Sequence, residues 1–76
     1  MNRVIVRLYI VKKGLEYNVI FDSSFSFSEN LKVLSSIIDY DFSDCLIYDY
    51  KLNIFINKDI PIFNYNMPSS RVLYIY

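Results

Sequence analysis

The stretch Arg71-Val72-Leu73-Tyr74-Ile75-Tyr76 decides the fold. It alternates, and it is β-branched and aromatic, so it reads as a strand. Leu73 and Ile75 fall on one face, and Val72, Tyr74 and Tyr76 on the other. A strand this apolar on both faces needs a neighbour along each edge. The rest of the chain is read here as the source of those neighbours.

The first neighbour is Arg3 to Val11. Val4, Val6, Leu8 and Ile10 share one face, while Arg3, Ile5, Arg7 and Tyr9 share the other. The apolar set is expected to face the core. Lys12-Lys13-Gly14 breaks the run with the only glycine in the chain. Glycine accepts positive φ without steric cost, as a tight hairpin turn requires. Leu15 to Phe21 is then the second strand of a hairpin, with Leu15, Tyr17, Val19 and Phe21 expected inward.

Ser26-Phe27-Ser28-Glu29 fits the S-x-x-E capping box that opens a helix. Leu31, Leu34, Ile37 and Ile38 recur at helical spacing, which predicts one helix over about 27–38. Roughly three turns are too few to be stable alone, so the helix must pack on the sheet. Asp39 to Asp44 is an acidic loop. Cys45 to Tyr48 and Leu52 to Ile56 read as short strands around a turn at Asp49-Tyr50-Lys51. Ile60-Pro61-Ile62 is excluded from a central strand, because proline has no amide to donate. Pro68-Ser69-Ser70 is the turn that feeds the last strand. The order is hairpin, helix, short strands, final strand. The last strand is therefore expected beside the first, in parallel, which is a β-grasp arrangement of the α+β class over a single domain, 1–76.

Composition bounds the function. The chain is 76 residues long and 54% hydrophobic, with eight Tyr and six Phe. So small a core hides only ~60% of the unfolded surface, so some aromatics are left outside, where they mark contacts with a partner. Eight basic side chains balance eight acidic ones, which gives no general pull toward nucleic acid. Arg3, Arg7 and Arg71 beside aromatics are too few to change that expectation; arginine stems covering tyrosine rings account for them. A single cysteine suits a reducing compartment, Met1-Asn2-Arg3-Val4 lacks a signal-peptide core, and Leu8 to Val11 is far short of the ~20 apolar residues that span a bilayer. A cytoplasmic protein without membrane insertion is expected.

No reaction is specified. There is no histidine to activate Cys45 or the serines, so no catalytic residue is assigned. Asp39, Asp41 and Asp44 invite a calcium reading. However, a loop counted from Asp39 places Asp44 and Tyr50 where glycine and a bidentate glutamate are needed. Neither a metal nor a cofactor is expected.

The segments Leu46-Ile47-Tyr48-Asp49-Tyr50-Lys51-Leu52, Ile62-Phe63-Asn64-Tyr65-Asn66-Met67 and Val72-Leu73-Tyr74-Ile75-Tyr76 resemble the C-terminal half of ubiquitin, in the same order. Glu29-Asn30-Leu31-Lys32 resembles part of its helix. The stretch Ile54 to Asp59 departs from ubiquitin and is closer to the small bacterial EsaB/YukD-type proteins that accompany type VII secretion systems. The resemblance implies that Leu46, Leu52, Leu73 and Ile75 are core residues. It also implies that the Tyr65 hydroxyl ties down the preceding loop, and that Ile47, Tyr74 and Tyr76 belong to an exposed recognition patch. Conjugated members of the family and its sulfur carriers end in Gly-Gly. Ile75-Tyr76 in that place carries the expectation of neither conjugation nor thiocarboxylation.

The expected function is a non-enzymatic, non-conjugating adaptor or regulator that binds another protein. Its surface is the helix-free sheet face carrying Ile5, Arg7, Ile47, Val72, Tyr74 and Tyr76. The alternative is a structural subunit that self-associates through the same face.

Overall fold

Gly14 sits at φ 65 in the turn between β1 (Arg3–Ile10) and β2 (Leu15–Asp22), and its amide donates to the Ile10 carbonyl at 2.8 Å. In the computed structural model, which describes residues 2–65 and 71–76, this hairpin is followed by the helix α1 (Phe27–Ile38). Two short strands come next, β3 (Ile47–Asp49) and β4 (Ile54–Phe55), then a 3-10 turn at Ile62–Tyr65 and the last strand, β5 (Arg71–Ile75). The turn expected at Pro68-Ser69-Ser70 lies outside the described residues.

The five strands form one mixed sheet in the order β2-β1-β5-β3-β4. β5 lies parallel to β1, with Leu8 opposite Leu73 and Ile10 opposite Ile75, and antiparallel to β3. It is an interior strand. The α+β β-grasp reading from the sequence is the observed architecture.

Local chemistry accounts for α1. Ser26 accepts from the Glu29 amide at 3.1 Å, and Glu29 accepts from the Ser26 amide at 3.1 Å, so both halves of the capping box form. Asp39 ends the helix in the left-handed region at φ 52. Phe27, Leu31 and Leu34 are buried against the sheet. Their targets are Val4, Val6, Leu8 and Ile10 of β1, Leu73 and Ile75 of β5, and Ile47 of β3. Each such side chain contributes roughly 1.5–3 kcal/mol by leaving water.

Two inward assignments on this side are too generous. On β2 only Phe21 is fully buried; Tyr17 and Val19 are half-buried and Leu15 is exposed. On α1, Ile37 is 71% exposed. The reason is common to both. β2 is the outermost strand, and the helix seats its 27-31-34 stripe on the middle of the sheet, leaving the outer half of β2 uncovered.

β3 carries a larger correction. Its residues run Ile47–Asp49 instead of Cys45 to Tyr48, and its phase is the reverse of the expected one. Ile47 is 1% exposed and belongs to the core; Leu46, at 55%, faces out. Register explains this. Ile47 lies directly opposite Ile75, and opposed residues of an antiparallel pair share a face. Ile75 faces the helix, so Ile47 must as well. A slip of one residue moves a whole strand's side chains to the other face. Leu52 is also exposed rather than core, because it lies in the turn before β4 and not on a strand.

The same phase buries Asp49. Its carboxylate accepts from the amides of Lys51 at 2.9 Å and Leu52 at 3.2 Å, and from Arg71 Nη1 at 2.5 Å. Tyr65 does what the resemblance implied. Its hydroxyl accepts from the Asn57 amide at 2.6 Å and donates to the Asn57 carbonyl at 3.1 Å, holding the loop after β4.

Candidate functional site

The sheet face opposite α1 carries the candidate surface. Ile5, Arg7 and Tyr9 of β1 point there, in phase opposition to the buried Val4, Val6 and Leu8. Parallel pairing sets Val72 beside Arg7 and Tyr74 beside Tyr9. Antiparallel pairing sets Tyr48 beside Tyr74, and Phe55 of β4 beside Tyr48. Tyr50 and Tyr76 complete the set from the strand ends.

These rings form a continuous row. Tyr9 meets Tyr74 at a centroid distance of 5.3 Å, Tyr74 meets Tyr50 at 4.6 Å, Tyr50 meets Tyr48 at 4.5 Å, and Tyr48 meets Phe55 at 4.7 Å. Every contact is edge-to-face, the arrangement the ring quadrupole favours. The hydroxyls of Tyr50 and Tyr76 share a hydrogen bond, and the Tyr48 hydroxyl donates to Asn53 Oδ1. Among the described residues no element covers this row. Tyr50 and Phe55 are exposed, and Ile5 and Ile20 extend the apolar area over β1 and β2. Leu46, Tyr48, Tyr50, Phe55 and Tyr76 surround a shallow hollow at the β3 end.

Of the six residues the sequence assigned, five lie together on or beside this face: Ile5, Arg7, Val72, Tyr74 and Tyr76. Ile47 does not, being buried under α1. Tyr48, Tyr50 and Phe55 take the place it was given. The sequence reading set the phase of β3 from an outward Ile47, and alternation then sends its neighbour Tyr48 to the opposite face. Asp49 held the missing signal, since a carboxylate that caps its own turn and pairs with an arginine can face inward.

Charge on the face is sparse. Arg7 Nε lies 3.3 Å from Glu16 Oε2 across the hairpin, a pair open to solvent and worth little in stability. Arg71 is turned to the core side by its pairing with Val6 and is held by Asp49, so it adds no cation to the face. The hydrogen bond shared with Tyr50 favours the protonated Tyr76 phenol, pushing its pKa up to about 12.

Cys45 and the acidic loop have local structural partners. Cys45 is packed in the core, and burial pushes its thiol up, away from the thiolate needed for attack. Asp39 caps α1, and Asp41 is held below the usual carboxylate value first by the Ser43 side chain and then by the Ser43 amide, from which it accepts at 2.9 Å. Among the described residues no three His, Cys, Asp or Glu side chains converge on a point. No helix among them is long and apolar enough to cross a membrane.

Comparison with known proteins places the architecture. The ubiquitin-like domain of an Arabidopsis thaliana protein superposes with a TM-score of 0.78 at 9% identity, over 100% of this chain and 78% of that one. The UBL domain of Plasmodium falciparum Dsk2 gives 0.75 at 11% identity, over 96% and 95%. The UBL domain of yeast Ddi1 gives 0.70 at 10% identity, over 99% and 88%. No family model matches the chain, and no curated protein matches its sequence. At these identities the likeness defines the fold alone: the chain has the ubiquitin-like β-grasp fold.

Proposed function

We propose that this ubiquitin-like domain is a non-enzymatic adaptor or regulator that binds another protein through the helix-free face of its sheet. One observation carries the reading: the unbroken row Tyr9, Tyr74, Tyr50, Tyr48, Phe55 on a face that no described element covers. Packed rings lose little side-chain freedom on binding and present large apolar area with hydroxyls at the rim. Interface energy concentrates in such aromatic anchors, with arginine at the margin, a position Arg7 occupies. The corrected surface is Ile5, Arg7, Tyr48, Tyr50, Phe55, Val72, Tyr74 and Tyr76. Its partner is a protein with a complementary apolar patch; a face with one exposed ion pair offers nucleic acid little.

Support for a place beside a bacterial type VII secretion apparatus is limited to the resemblance of the sequence around Ile54 to Asp59. Affinity capture from a host that carries such an apparatus, with wild-type and Tyr74→Asp domains in parallel, tests both levels. Tyr74 is only half-buried, so the variant is expected to fold and to lose its partner. Equal recovery of partners by the two domains removes the face from consideration.

The same row supports a second reading, self-association face to face. Light scattering over a concentration series separates the two, since a stable dimer abolished by Tyr74→Asp favours the structural subunit.

A further inference from the structure

The tyrosines of the sheet face differ in what holds their hydroxyls. Tyr48 donates to Asn53 Oδ1, whereas Tyr50 and Tyr76 share a hydrogen bond with each other, 26 residues apart in the chain. Both rings of that pair are fixed from behind. The Tyr76 amide donates to the Leu46 carbonyl at 2.8 Å and its carbonyl accepts from the Leu46 amide at 3.0 Å. The Tyr50 ring packs edge-to-face on Tyr48 at 4.5 Å and on Tyr74 at 4.6 Å, which aims its hydroxyl at Tyr76. Exposure also separates the pair from its neighbours. Tyr50 and Tyr76 are 55% and 38% exposed, while Tyr9, Tyr48 and Tyr74 are half-buried.

A phenol that loses one electron and its hydroxyl proton becomes a phenoxyl radical, with much of its spin on the carbons ortho to oxygen. Those carbons lie two bonds from the oxygen. Two hydroxyls in hydrogen-bond contact therefore bring an ortho carbon of each ring close enough to join by a small turn of the exposed rings. The row feeds this pair, since Tyr9 touches Tyr74, and Tyr74 and Tyr48 both touch Tyr50. Movement of a missing electron among like rings is nearly isoenergetic, whereas carbon–carbon coupling is irreversible. Oxidation thus collects where two radicals meet. Cys45, the one thiol, is buried and does not compete.

We propose that Tyr50 and Tyr76 are a site of oxidative modification, coupled by a peroxide-driven one-electron oxidant into an intramolecular dityrosine that locks the end of β5 to the turn after β3. Each ring gives up one electron and its hydroxyl proton, the ortho carbons join, and each ortho hydrogen moves to restore a hydroxyl. The two electrons and two protons reduce one hydrogen peroxide to two waters at a haem peroxidase. The link also fixes two walls of the hollow formed with Leu46, Tyr48 and Phe55. It forms in the free domain and requires no partner.

The test treats the whole chain, dilute and alone, with light-activated ruthenium tris-bipyridyl and persulfate, a probe oxidant of the same one-electron class. The expected product is a monomer lighter by two hydrogens, with dityrosine fluorescence and a peptide map that joins Tyr50 to Tyr76. Unfolding in urea before oxidation is expected to lower its yield at least about tenfold, because the rings lose their shared position. Tyr50→Phe and Tyr76→Phe are each expected to abolish it, and Tyr17→Phe, away from the face, to leave it unchanged. The linked domain is expected to melt at least about 5 °C higher, as closing a long loop restricts the unfolded chain. Covalent dimers as the main product, a link between other tyrosines, equal yield in urea, or a linked product with an unchanged melting temperature overturns the proposal. No partner enters this test, so its failure and that of the adaptor reading are read separately.

Discussion

Arg71 reaches from the first residue of β5 to the carboxylate of Asp49 at the end of β3, a 2.5 Å contact to a side chain with no solvent exposure. The carboxylate also receives two amides of the turn that follows, so a single charged group joins two strands and a turn. Removing one partner of a buried ion pair leaves an uncompensated charge. Arg71→Met is expected to lower stability by about 3–5 kcal/mol in urea denaturation. Adding Asp49→Asn to it is expected to recover part of that loss, because the stranded charge disappears. A double variant as unstable as the sum of both singles overturns the assignment.

The reversed phase of β3 is testable at adjacent positions. Ile47→Ala empties a core site and is expected to cost about 2–5 kcal/mol. Leu46→Ala removes an exposed side chain and is expected to stay within about 0.5 kcal/mol of the parent. Thermal melts of the two variants decide it, and the opposite order restores the phase read from the sequence.

The hydroxyl of Tyr65 makes two bonds to one loop residue, Asn57, while its ring packs near Phe27 at a centroid distance of 6.5 Å. Tyr65→Phe keeps the ring and deletes both bonds. A loss of about 1–3 kcal/mol is expected, together with faster amide exchange at Asn57. An unchanged exchange rate there means that the hydroxyl does not hold the loop.

The Tyr76 phenol has its pKa raised from 10.0 to about 12, first by its hydrogen bond with Tyr50. A group that holds its proton more tightly when folded favours the fold wherever the proton is present. That contribution is complete below about pH 10 and is lost as pH rises through about 12. Ultraviolet titration is expected to show one tyrosine that ionises late, and Tyr50→Phe is expected to bring it back toward the ordinary range. A late phase that persists in Tyr50→Phe points to another cause.

The sequence was most legible where one segment settled its own conformation. The capping box at Ser26 and Glu29 placed the start of α1, and strict alternation set the phase of β1 and β5. β3 was harder because it is three residues long, too short for periodicity to choose a face. Its phase comes from pairing with Ile75 and from burial of Asp49, and an acidic side chain reads as solvent-facing until its arginine partner is known. The aromatic face followed the same rule. Tyr74 was found from its own strand, whereas Tyr48, Tyr50 and Phe55 join it only through β3 and β4. The outer position of β2 was hidden for another reason: which strand lies outermost depends on where β5 inserts.

The insertion of β5 beside β1 also determines how the domain bears load. The two strands run parallel, so tension applied at the start of β1 and the end of β5 slides one along the other. The evenly spaced bonds of a parallel ladder then resist together, and none can be peeled away first. Tension along the hairpin instead opens the β1–β2 ladder one bond at a time from its free end, as a zipper does. The domain is therefore anisotropic as a mechanical element, stiff when pulled between its strand ends and compliant when pulled at its outer edge.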